Sequence, residues 1–263
     1  MQSLFKYALH LADNALILGH RNSEWTGHGP ILEQDIAISN IALDLIGQAR
    51  NFYQYAALLE GAEAFRDREP GNEITEDTLA YLRDSHEYRN CLLVEQPNGD
   101  WGKTVLRQFF FSAYQFYLYG QLQNSKDETL AAIAAKALKE VTYHLRWSAE
   151  WVIRLGDGTD ESHSRMQMAM EDLWKFTGEL FTPSEFEIQL AKEAIAPDLS
   201  LLKPQWNEKV NSILSEATLE GDTDKRSKAW MQTGGKEGRH TEHLGFILAE
   251  MQYLQRAYPG SEW

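Results

Sequence analysis

The sequence predicts an all-α protein: a four-helix bundle core over about residues 2–155 and additional helices over about 160–257, in a single domain spanning 1–263. Three observations carry this. Only 7 Pro and 18 Gly occur in 263 residues, and they gather between long runs whose apolar residues recur every three or four positions. Apolar residues make up 43% of the chain and aromatic ones 11%, enough for a large core and too many for a disordered chain. The stretch 127–155, DETLAAIAAKALKEVTYHLRWSAEWVIRL, holds neither Gly nor Pro and is rich in Ala and Leu, which favour helix.

The first helix is expected over 2–19, with Leu4, Ala8, Leu11, Ala15 and Leu18 along one stripe. Gly27, Gly29 and Pro30 end it in a loop. A second helix is expected over about 31–60, with Ile38, Ile41, Leu45, Ala49, Phe52, Ala56 and Leu59 as its seam. At roughly 1.5 Å per residue it is about 45 Å long. Residues 61–75 contain Gly61, Pro70 and Gly71 and read as a loop. A shorter helix over 76–94 follows, then a turn at Pro97-Asn98-Gly99. The helix over 103–124 is apolar almost all round, so its own bundle and a second subunit are both expected to cover it. The 127–155 helix has a seam of Leu130, Ala134, Ala137, Val141, Ser148, Trp151 and Leu155, with His144 in the remaining position and Glu140 at its flank. Helices over 160–181, 184–194, 206–219 and 240–257 complete the chain.

The net charge of −14 argues against nucleic acid and anionic membrane as partners. Cys91 is the single cysteine, so no intrachain disulfide framework exists. Lys6, His10 and Asp13 interrupt the apolar N-terminal stretch, which therefore reads as an amphipathic helix and not a signal peptide. No run approaches 18 apolar residues, and a cytoplasmic protein is expected.

A carboxylate and an imidazole four apart on an inward helix face raise the question of a metal. Di-iron bundles draw one Glu from each of two helices and a Glu-x-x-His pair from each of the other two. Measured against that set, the first helix offers only Asp13. The second offers Asp44, followed three later by Gly47, which cannot ligate. The 103–124 helix has no Asp or Glu, and the fourth offers Glu140 with His144 one step out of register. Asp13, Asp44, Glu140 and His144 thus read as relics of a site too poor in carboxylates to neutralise two buried cations. Glu140 and His144 are expected to form a buried hydrogen-bonded pair, with Lys139, Arg146 or Arg50 nearby. Asp160/His163, Glu237/His240 and His240/His243 also have ligand-like spacing, but they fall in loops or at helix starts where such matches arise easily.

The charge balance reverses between 225 and 240, where Lys225, Arg226, Lys228, Lys236 and Arg239 face only Glu237. Beside glycines and a helix start, this cluster suits an anion, a docking acidic partner, or neither. Of the eight Trp, Trp147, Trp151, Trp174, Trp206 and Trp230 sit on or beside expected helices, where core packing is the first explanation and a shared interface the second.

Four stretches are similar to a known family: SEWTGHGPILEQDIAISNIALDLIGQARNFYQYA, LLVEQPNGDW, KALKEVTYHLRWS and TGGKEGRHTEHLGFILAEMQYLQR. They resemble the C subunits of the bacterial ring-1,2-phenylacetyl-CoA epoxidases, and the likeness runs from residue 4 to 263. The resemblance implies a ferritin-like fold and a structural, non-catalytic member of a multicomponent monooxygenase of aerobic phenylacetate breakdown. It implies that a paralogous A subunit pairs with this chain and carries the di-iron centre. It further implies a small B subunit and a reductase that passes electrons from NADPH through FAD and an iron–sulfur cluster. No catalytic or cofactor-binding residue carries over to this sequence. The other reading is an active carboxylate-bridged di-iron oxygenase or ferroxidase, which the carboxylate-free 103–124 helix disfavours.

Overall fold

The computed structural model describes residues 2–68, 74–219, 230–259 and 261. Among them every regular element is helical. The four long helices are α1 (Gln2–Ser23), α2 (Leu32–Ala57), α5 (Trp101–Leu122) and α6 (Glu128–Gly156). Asp100 and Asp127 start α5 and α6 by accepting the Lys103 and Leu130 backbone N–H groups at 2.9 Å, each satisfying a donor that has no partner within its helix. Cross-bundle contacts fix the topology. Asp13 meets Tyr53 while Gly19 lies against Ala42, so α1 and α2 run antiparallel. Asp44 meets His144 while Tyr55 meets Asp127, so α2 and α6 do the same. Asn22 bonds Gln108 at 2.7 Å, which sets α1 beside α5 and closes the ring of four.

The seams match the spacing that predicted them. Ile38, Ile41, Leu45, Ala49, Phe52 and Ala56 of α2 are all buried. On α6 the expected seam holds through Ser148 and then drifts, so that Leu145 and Val152 are buried while Trp151 and Leu155 are only partly covered. A straight helix of 3.6 residues per turn walks away from a three-four repeat in this way over four turns.

The all-round apolar α5 is covered from within the chain. Beyond α6 and α1 it packs against α7 (Asp160–Trp174) and α9 (Leu199–Glu216). Trp174 and Trp206 close over Phe110 with ring centroids 5.7 Å away. The second subunit expected over α5 is therefore not needed there. Trp147, Trp174 and Trp206 are core residues, Trp151 is half-buried and Trp230 is exposed.

Several other expectations are corrected. The 76–94 segment is not one helix but α3 (Glu76–Tyr81), a 3-10 turn at Ser85–Glu87 and α4 (Leu92–Glu95). Its backbone donors are taken by side chains from elsewhere: Arg89 N–H goes to Asp13, Cys91 N–H to Asn14 and Leu92 N–H to Glu179. A continuous helix would have consumed those donors internally. The described part of the 61–75 loop is a 3-10 helix, Glu60–Arg68, because Phe65 packs on Phe5. The helix expected over 160–181 stops at Trp174, and Gly178–Phe181 forms a 3-10 turn that carries Glu179 inward. α8 (Glu185–Lys192) follows, close to its expected span. α9 begins seven residues earlier than expected and contains Pro204. Pro204 takes the N–H from Ser200's carbonyl, but Ser200 is exposed and water serves it. The last helix divides into α10 (Glu242–Met251) and α11 (Tyr253–Ala257). No described helix is long and apolar enough to cross a membrane.

Candidate functional site

The bundle interior is where the carboxylate–imidazole pattern pointed. Asp13 is wholly buried there, and its oxygens are fully taken. Arg83 grips both of them, Tyr53 donates its hydroxyl at 2.5 Å, and the Arg89 N–H donates at 2.7 Å. Arg83 is itself wholly buried, lies 4.2 Å over the Tyr88 ring, and also donates to Leu79 and Glu87 carbonyls. Burial works against its charge, but the Asp13 carboxylate outweighs that and holds the guanidinium above its usual range. Burial, then the same carboxylate, pushes the Tyr53 phenol up.

The other three candidates do not join Asp13. His144 is buried and donates through Nε2 to Asp44 at 2.9 Å, with Asp44 38% exposed at the bundle surface. Glu140 accepts from Gln48 at 2.9 Å. The expected Glu140–His144 pair is thus replaced by two separate links across the α2–α6 seam. The three basic neighbours are also engaged differently or not at all: Arg50 pairs with Glu76, Arg146 stacks 5.7 Å from the Tyr143 ring, and Lys139 is exposed. α5 contributes only neutral polar groups to the interior, Gln108, Ser112 and Gln115. An iron pair requires carboxylates from all four helices converging on one volume. Here one is sealed by an arginine and the others diverge, so the residues present do not fit such a centre. Among the described residues no three His, Cys, Asp or Glu side chains are placed to share a metal ion.

The secondary pairs do not converge either. His163 bonds the Gly156 carbonyl at 2.7 Å, and Asp160 is exposed. Glu237 pairs with Arg239, and His240 reaches Glu95 at 2.8 Å and the Tyr88 carbonyl at 3.1 Å. His243 sits on the first turn of α10, half-exposed.

A second buried polar centre is not evident from the sequence. Glu95, Glu179 and Glu187 all lie in the interior. Glu179 accepts the N–H groups of Gly234 and Gly235 at 2.7 Å each, and Glu95 accepts both the N–H and hydroxyl of Thr241 at 2.7 Å. Glu187 receives Lys236 Nζ at 3.0 and 3.1 Å. Burial raises the Glu187 carboxyl, yet Lys236 and then His10 hold it below its usual range. Together these three acids bind residues 234–241 to the body. The only trace in the sequence is Ser184-x-x-Glu187, a capping box that turns Glu187 back over the start of α8.

This overturns the reading of Lys236 as a docking cation. Lys236 is 4% exposed and neutralised, and Arg239 is paired with Glu237 at 2.5 Å. Lys225, Arg226 and Lys228 lie outside the described residues. The adjoining cleft, about 580 Å³, is lined by Lys6 and Arg89 but also by Glu185 and Glu237. That mixed lining gives no field for an anion.

The bundle is therefore Glu-rich, sealed by an arginine, and without converging ligands. Its likeness to known proteins extends over the whole chain. The profile of the family described as phenylacetic acid catabolic protein covers residues 1–263. The chain belongs to that family. It is 49% identical over 263 residues to the C subunit of the 1,2-phenylacetyl-CoA epoxidase of Escherichia coli (strain K12), with all of both chains covered. As a member of the phenylacetic acid catabolic protein family it joins an all-α fold to a relative that is one component of a larger enzyme.

Proposed function

We propose that this chain is the structural C subunit of a 1,2-phenylacetyl-CoA epoxidase, a cytoplasmic multicomponent monooxygenase of phenylacetate degradation. In this reading it is one ferritin-like domain that supports a paralogous A subunit. The A subunit holds the di-iron centre, a small B subunit joins them, and a reductase delivers NADPH electrons through FAD and an iron–sulfur cluster. The observation that carries the non-catalytic role is Asp13. Its buried negative charge is balanced by Arg83, so a guanidinium does permanently what a metal would otherwise do. Asp44, Glu140 and His144 are then relics, retained because they stitch α2 to α6. The same observation disfavours an active di-iron oxygenase or ferroxidase, which would need Asp13 free and a carboxylate on α5.

Elemental analysis tests this. The chain purified alone is expected to hold no stoichiometric iron, and the chain purified with its co-expressed A subunit about two irons per pair. Glu140→Gln is expected to leave the iron of the complex unchanged. Stoichiometric iron in the isolated chain, or loss of iron from the complex on Glu140→Gln, overturns the reading.

A further inference from the structure

α2 carries a second apolar stripe that its own bundle does not cover. Leu32 is 72% exposed, Ile36 51%, Leu43 66% and Ile46 37%. They fall at helical spacing along one outward face, opposite the buried seam. Gly47 continues the face, and nothing lies within 4 Å of where its Cβ would be. On α6, Tyr143 adds a 38%-exposed ring beside this stripe, next to His144 and its partner Asp44. Isolated exposed apolar residues are ordinary, but a contiguous row along a 26-residue helix marks an interface. A straight row ending at a glycine notch suits a helix packed ridge into groove.

The charges beside the row have a direction. Glu33 and Asp35 stand at the N-terminal end of α2. α6 runs antiparallel, with Glu140 at Gln48 and Asp127 at Tyr55, so Lys136 and Lys139 lie along the C-terminal half of α2. Neither lysine makes an ion pair among the described residues, and both are exposed. The face is therefore apolar along its length, acidic at one end and basic at the other.

We infer that this face seats another subunit of the epoxidase through an apolar helix. That helix carries basic residues where it meets Glu33 and Asp35, and acidic ones where it meets Lys136 and Lys139. The inference rests on the chain being part of that complex. Complementary ends fix which way the partner helix points, and the apolar row supplies the affinity.

The test is co-expression with the remaining epoxidase subunits, followed by size-exclusion chromatography with light scattering. Leu43→Glu, Ile36→Glu and the pair Lys136→Glu/Lys139→Glu are compared with wild type, each with its own melting curve. These side chains are exposed, so melting of the isolated chain is expected to stay at the wild-type value. Complex formation is expected to weaken roughly tenfold or more for Leu43→Glu and Ile36→Glu. The lysine pair is expected to weaken it less, and to reduce its salt dependence. A wild-type complex that all variants still form overturns this face and leaves the proposed function standing. No complex with wild type overturns the proposed function, and this inference with it. An isolated wild-type chain that is a dimer, which Leu43→Glu splits, assigns the face to a second copy and also overturns the inference.

Discussion

Arg83 and Asp13 form an ion pair with no solvent contact on either side chain, seventy residues apart in sequence. The pair joins α1 to the irregular segment between α3 and α4, and Tyr53 of α2 closes it from the third side. Removing the guanidinium leaves a buried carboxylate with only the Tyr53 hydroxyl and the Arg89 N–H. Arg83→Met is therefore expected to destabilise the chain by about 3–5 kcal/mol. Asp13→Leu with Arg83→Met is expected to recover most of that loss, since both charges are gone. Urea unfolding of the two single variants and the double measures the coupling.

Lys236 and Glu187 are the corresponding pair on the C-terminal side. Lys236→Met is expected to cost about 3–5 kcal/mol, because Glu187 is left charged and dry. Limited proteolysis is expected to cut first after residue 230 in this variant, as the segment held by Lys236 comes away. A variant with wild-type unfolding and an unchanged cleavage pattern would show that the pair holds nothing.

His10 gives the pH dependence. Its Nδ1–H donates to the Arg89 carbonyl at 2.7 Å, and Glu187 and Lys236 face its other side. Burial pushes the imidazole below its ordinary 6.5, so the folded state resists a proton that the unfolded state accepts. Stability is then complete above about 6.5 and falls as pH drops below it, until the folded value is reached. The Glu187 carboxyl, held below its ordinary 4.5, adds a second loss on further acidification through its folded value. His10→Gln is expected to flatten the first limb and spare the second, read from urea midpoints at successive pH values.

Two glycines separate close approach from mere helix propensity. A Cβ at Gly235 would stand 2.2 Å from the Asn90 carbonyl oxygen, a backbone atom that cannot give way. Gly235→Ala is expected to destabilise the chain and to loosen residues 230–259. Gly120 in α5 has open space around it, so Gly120→Ala is expected to stabilise by roughly 0.5–1 kcal/mol. Thermal melts of both variants check the contrast in sign.

The long helices are legible in the sequence because one periodicity decides both their conformation and their buried face. α2 and the first five turns of α6 show this residue by residue. The 76–95 segment is not legible. Its apolar residues permit a helix, and what breaks it is demand from Asp13, Asn14 and Glu179 for its backbone donors, which lies far away in sequence. Lys236 misleads for the same reason: its neutralising carboxylate is forty-nine positions earlier. The incomplete ligand set follows from residue types, but the arginine that seals Asp13 does not. The outer row of α2 is present in the sequence as Leu32, Ile36, Leu43 and Ile46 lying off the seam, yet their exposure depends on which faces α1 and α6 leave open.

The anchoring of residues 234–241 by three buried carboxylates also bears on how the chain is made. Glu95, Glu179 and Glu187 emerge from the ribosome well before Gly234, Lys236 and Thr241, which satisfy them. Until that last stretch is released, the α1–α4 side of the bundle must either keep those acids hydrated or bury them without partners, which is costly. The four long helices can gather as they are synthesised, but the Glu95–Glu179–Glu187 side can lock only after nearly the whole chain is out. Nascent chains truncated before Gly234 are thus expected to remain protease-sensitive around α4 and α8, so that maturation depends on the final thirty residues more than on any part of the bundle itself.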